Sequence, residues 1–184
     1  MSVGSILWKR LDRPGHDACI INRIDNAWNL CGSAVFQHDG QPAQLSYEVV
    51  CDAAWRTLHG QVKGWLGERQ VFFRLARKET HGWRLNDQEA PHLQECVDLD
   101  LGFTPATNIL PVRRLRLAEG QAANAPAAWL DVSTGALTFL PQRYERRSKT
   151  TYWYEAPTAN YADLLIVDHV GFVVRYPGLW EIVR

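Results

Sequence analysis

Apolar and polar side chains alternate with a period of two through segment after segment of this chain, the spacing of strands that bury one face. In 44–49, Leu45, Tyr47 and Val49 point one way while Gln44, Ser46 and Glu48 point the other. Runs of the same kind, rich in β-branched and aromatic residues, cover 19–24, 30–36, 70–76, 112–117, 127–132, 137–140, 150–154 and 164–174. Turn-forming clusters separate them: His38-Asp39-Gly40, 64–67, Thr80-His81-Gly82, 86–91, 102–105, 119–126, Ser133-Thr134-Gly135 and Tyr176-Pro177-Gly178. No comparable helix emerges. Many short strands at this spacing predict an all-β sandwich, barrel or roll, more than half strand, with no helix longer than about three turns.

The length of 184 residues suits one domain spanning 1–184, and 46% apolar with 22% charged residues supports a packed core and excludes disorder. Lys plus Arg equals Asp plus Glu at 20 each, so nucleic acid is not expected as a partner, although the cations and aromatics of Arg143, Tyr144, Arg146, Arg147, Lys149, Tyr152, Trp153 and Tyr154 alternate as in single-strand binders. A basic hairpin tip gives the same pattern. The most apolar segment, 164–174, is interrupted by Asp168 and His169, so the chain is not expected to span a membrane. Ile6-Leu7-Trp8 is too short for an export signal, which points to the cytoplasm and to reduced thiols at Cys19, Cys31, Cys51 and Cys96.

Motifs for chemistry are absent. The six histidines stand singly, there is no Cys-x-x-Cys, and neither a nucleophile elbow nor a glycine-rich phosphate loop occurs, so no metal or cofactor is expected. Asp98 and Asp100 share one strand face and could serve as an acid/base pair, or simply as a solvated face. Eight tryptophans are a heavy load, and Trp55 and Trp65 stand beside Gly60 and Gly64, where small residues leave room for a cavity. Alternation along 112–117 turns Arg113 inward with Leu115 and Leu117, and the same count along 164–174 puts Asp168 with Leu164, Ile166, Val170, Phe172 and Val174. Each of these inward charges needs a partner, either the other or a further polar group, or else points into a wet ligand cavity.

The block Cys96 to Leu101, followed by Thr104-Pro105-Ala106-Thr107-Asn108-Ile109-Leu110-Pro111-Val112-Arg113-Arg114-Leu115, resembles the signature of the bacterial glycolipid-binding family. Gly82-Trp83 before it, and Ala128-Trp129-Leu130, Gln142-Arg143-Tyr144, Val167 to Gly171 and Tyr176-Pro177 after it, come in that family's order, so the resemblance covers nearly the whole chain. It implies a many-stranded spiral β-roll, an unclosed barrel similar to periplasmic lipoprotein carriers, enclosing an apolar cavity. It carries no established site residues with it. The function expected is non-catalytic binding of a lipid or glycolipid, with Trp55, Trp65, Arg113, Asp168, Asp100 and Tyr144 as candidate ligand-binding residues. The alternative is a small enzyme acting on a lipid-like or sugar-containing substrate through Asp98, Asp100 or Asp168.

Overall fold

A computed structural model describes residues 2–78 and 81–184, so the turn expected at Thr80 lies outside the described residues. Strands make up 61% of it. Eight follow one another as an antiparallel meander: β1 (Ser2–Arg10), β2 (Gly15–Ile24), β3 (Ala27–His38), β4 (Gln41–Cys51), β5 (Thr57–Leu66), β6 (Arg69–Lys78), β7 (Gly82–Leu85) and β8 (Gln88–Ala90). The chain then forms β9 (Asp98–Leu101), a 3-10 turn at Ala106–Asn108, the helix α1 (Ile109–Leu115), β10 (Ala122–Asn124), β11 (Ala127–Asp131) and β12 (Ala136–Leu140), of which β10 alone joins the large sheet. It returns as β13 (Arg143–Arg146), β14 (Thr151–Ala156), β15 (Tyr161–Val167), β16 (Val173–Tyr176) and β17 (Trp180–Ile182). β17 pairs with β1, Trp8 opposite Ile182, which joins both ends of the chain into one 14-stranded sheet with β10 and β8 at its edges. The sheet stays open.

The alternation places the core where it was expected. Along β4, Ala43, Leu45, Tyr47, Val49 and Cys51 are buried, and the β3–β4 hairpin turns on Asp39 and Gly40, both with positive φ, as a two-residue turn matched to strand twist requires. The apolar interior implied by such a fold is there, and the chain's own segment 99–112 occupies it: Leu99, Leu101, Phe103, Ala106, Ile109 and Leu110 are buried in one cluster with the strand side chains. β9 is tied in by Thr57, whose Oγ1 accepts from the Leu99 N–H at 3.1 Å, and by the Trp83 indole, which donates to the Cys96 carbonyl at 2.9 Å. A small second sheet, β12-β11-β9, includes the parallel pair β11/β9. No helix among the described residues is long and apolar enough to cross a membrane.

Three local expectations are corrected. Segment 112–117 is not a strand. Pro111 removes a ladder donor yet fits the first turn of a helix, and the first turn of α1, Ile109 to Val112, is buried all round. Segment 164–174 is two strands broken at 168–172, where Asp168 Oδ1 accepts from the N–H groups of Val170, Gly171 and Phe172 at 2.8–2.9 Å, and the buried face of β15 carries Leu165 and Val167 rather than Leu164 and Ile166. The gap beside Gly60 is filled by the protein itself, since a Cβ there would stand 2.7 Å from Leu99 Cδ2.

Candidate functional site

The β4–β5 turn is built on Asp52. Its Oδ1 accepts from the Ala54 and Arg56 N–H groups at 2.9 Å and its Oδ2 meets Arg56 Nε at 2.7 Å. Burial alone would raise the Asp52 carboxyl, but these Arg56 contacts outweigh it and hold it below the usual range. The turn fixes Trp55 at φ 66° with its side chain buried. Trp28 of β3 stacks on Trp55 with ring centroids 4.4 Å apart, and the Arg113 guanidinium lies over the Trp55 ring at 5.3 Å. With a ring on one face and a cation over it, Trp55 has no open face for a sugar. Its role in this geometry is to hold Arg113.

Arg113 faces a half-open pocket of about 410 Å³ between the end of α1, the tip of the β13–β14 hairpin and turn 168–172. Its lining combines the buried Trp55, Val112, Tyr152, Val167 and Gly171 with the more exposed Arg113, Arg116, Arg146, Lys149, Asp168 and His169. Arg146 is pinned: its guanidinium donates to the carbonyls of Leu117 at 2.8 Å, Ser148 at 3.1 Å and Lys149 at 3.2 Å, and lies 5.9 Å from the centre of the Tyr152 ring. Burial raises the Tyr152 phenol, and the charges of Arg146 and Arg113 offset part of that rise. The lining is thus polar and cationic where it is more exposed and aromatic and aliphatic where it is buried.

A family model described as "Putative glycolipid-binding" matches residues 5–182. The chain belongs to this family. It is also similar to the crystal structure of a DUF1089 family protein from Pseudomonas aeruginosa, with a TM-score of 0.77 and 27% identity over 91% of each chain. None of the curated proteins compared with it matches. Like the fold, the family assignment covers nearly all of the chain, so the pocket lies wholly within family sequence.

Of the six candidate residues read from the sequence of this family member, three meet at the pocket: Trp55, Arg113 and Asp168. Arg113 and Asp168 do so without an ion pair to each other among the described residues, so the partners are of the other kinds expected. Arg113 takes an aromatic ring, and Asp168 takes backbone amides. Trp65 is elsewhere, half-buried on the face of β5 opposite Leu66 and Val62. Asp100 and Tyr144 belong to a separate interior cluster. Gln142 Nε2 donates to Asp100 at 2.6 Å, Asn108 Nδ2 donates to the Tyr144 hydroxyl at 2.9 Å, and Tyr144 packs on Tyr154 at 4.8 Å. Burial pushes the Asp100 carboxyl up to about 6, against the pull of Gln142. Sequence reasoning missed Arg116, Arg146, Lys149 and Tyr152 as pocket residues. The mixed cationic and aromatic run at 143–154 was the signal for Arg146, Lys149 and Tyr152, and only the return of turn 168–172 beside that hairpin shows what it lines.

Proposed function

We propose that this protein, acting as one domain over 1–184, binds a lipid or glycolipid without transforming it, the head group seated in the pocket held by Trp55 and Arg113. The observation that carries this reading is the rigid presentation of Arg113 on the Trp28–Trp55 stack beside a buried aromatic and aliphatic lining, in a member of a glycolipid-binding family. The pocket's carboxylate is committed elsewhere: Asp168 Oδ1 already accepts three backbone N–H bonds, which suits a structural clasp better than a general base. The test is lipid extraction and native mass spectrometry of the purified protein, followed by titration of the released amphiphile. Retained lipid that wild type rebinds, and that Arg113→Met binds about tenfold more weakly, is the expected result. Protein that carries no lipid and binds none overturns it.

One observation favours the enzyme reading, the Asp100 carboxyl pushed up to about 6 among buried tyrosines. On that reading Asp100→Asn abolishes turnover of a bound ligand; on ours, Asp100→Asn leaves ligand affinity unchanged because the cluster stands apart from the pocket.

A further inference from the structure

The pocket gathers four cations, Arg113, Arg116, Arg146 and Lys149, around a single carboxylate. Some arginines elsewhere have carboxylates beside them, as where Arg114 meets Asp98 at 2.6 Å, Arg143 and Arg147 share Glu145, and Arg10 and Arg13 share Asp12, whereas Arg69 donates to the carbonyls of Val132 and Ser133. Arg113, Arg116, Arg146 and Lys149 have no carboxylate within 4.0 Å among the described residues, although the chain as a whole has no net charge. The partners of Arg146 are neutral carbonyls, which fix its direction and leave its charge uncompensated. Four cations therefore converge on a space that holds one carboxylate, Asp168, whose Oδ1 is occupied by backbone amides.

Arg116 ends α1 in the left-handed conformation, φ 48°, where glycine fits at no steric cost and a branched or long L side chain does not. An exposed cationic side chain thus lines the pocket from a backbone position that would also accept glycine, so its charge can be removed there without straining the helix end.

From this arrangement, and resting on the binding reading above, we infer that the pocket takes a phosphate-bearing head group, a phosphomonoester or phosphodiester, rather than a neutral sugar. A carboxylate offers two coplanar oxygens, whereas these cations approach from the helix end, the hairpin tip and its turn, and a tetrahedral anion offers oxygens in each direction. The volume of about 410 Å³ exceeds what one phosphate fills and falls in the range of small-molecule sites, which leaves space for the group esterified to it.

Calorimetric titration of the full chain with three probes tests this: inorganic phosphate, a short-chain diacyl lipid with a phosphomonoester head, and octyl glucoside as a neutral glycolipid. The phosphomonoester lipid binds, its affinity falls as salt rises from about 0.05 M to about 0.5 M, and octyl glucoside binds at least about tenfold more weakly. Arg116→Gly lowers affinity for the phosphomonoester about tenfold with no fall in thermal midpoint, a combination that a purely structural residue would not give. Inorganic phosphate binding as tightly as the lipid supports the phosphate inference and overturns the lipid reading. Octyl glucoside binding as tightly as the phosphomonoester lipid, unaffected by Arg116→Gly, overturns the phosphate inference and leaves the lipid reading standing. Binding of no probe overturns both.

Discussion

Arg114 Nε and Nη2 donate to the two carboxylate oxygens of Asp98 at 2.9 and 2.6 Å, and Asp98 is buried, while the adjacent Arg113 lies over the Trp55 ring and lines the pocket. Burial raises the Asp98 carboxyl, and Arg114 offsets part of that rise. Removing the cation leaves a buried carboxylate with one side of its charge unmet. Arg114→Met is expected to destabilise by about 3–5 kcal/mol, and Arg113→Met by less than about 1 kcal/mol, read by chemical denaturation at pH 7. Equal effects would show that the two arginines are not divided in this way. Strand counting turns Arg113 inward and leaves its partner open between an opposite charge, backbone groups and a ligand cavity; Arg113 faces the pocket, and the ion pair belongs to Arg114, which that count turns outward. On a helix, consecutive residues differ by about 100° rather than 180°, so neighbours 113 and 114 take adjacent directions, one toward Asp98 and one toward Trp55.

At the scale of elements, what could be read was whatever repeats. The meander β1 to β8 has long strands with clean alternation and short turns, and the sequence reading located its register faces, including the Leu45, Tyr47 and Val49 row. Short elements were opaque. α1 has only seven residues, too few for a helical period to show, and its cue was local: the Thr104 hydroxyl accepts from the Ala106 N–H at 3.0 Å and Pro111 follows six residues after Pro105. The gap at Gly60 could be seen as a gap, but what fills it, Leu99 of β9, is 39 residues away in sequence and invisible to any local pattern. Gly60→Ala forces a methyl against Leu99 in a closed core and is expected to destabilise by about 1–3 kcal/mol. Leu99→Val, which takes away the offending methylene, then costs less in the Gly60→Ala background than alone. Strict additivity in that double-mutant cycle would show that the two side chains do not meet.

Across the whole molecule, buried carboxylates set how stability depends on pH. Asp17 is fully buried on β2; its Oδ2 accepts from the Tyr47 hydroxyl at 3.0 Å and from the Thr104 hydroxyl, while its Oδ1 has no partner among the described residues. Burial pushes it up to about 6 despite the Thr104 and Tyr47 hydrogen bonds, and Asp100 is likewise pushed up to about 6. An unfolded aspartate titrates near 3.9. The folded chain therefore holds both protons more tightly. Below about pH 4 both states are protonated and this contribution to stability is fully present; as pH rises from about 4 through 6 the unfolded chain ionises first and the contribution is lost. For Asp17 the loss amounts to about 3 kcal/mol at most, and Asp100 adds in the same direction. Asp12, Asp52 and Asp131 oppose them on the acid side: burial would raise each, yet hydrogen bonds from Arg10, Arg56 and Thr134 respectively hold them low, so their contribution disappears as pH falls below about 4. The thermal midpoint is expected to peak between about pH 4 and 5 and to fall toward pH 7, and Asp17→Asn should flatten that descent by removing one of the two titrating groups. A midpoint that rises from pH 5 to 7 in the wild type, or a slope that Asp17→Asn leaves unchanged, would mean that Asp17 is ionised at the centre of the fold already at pH 5.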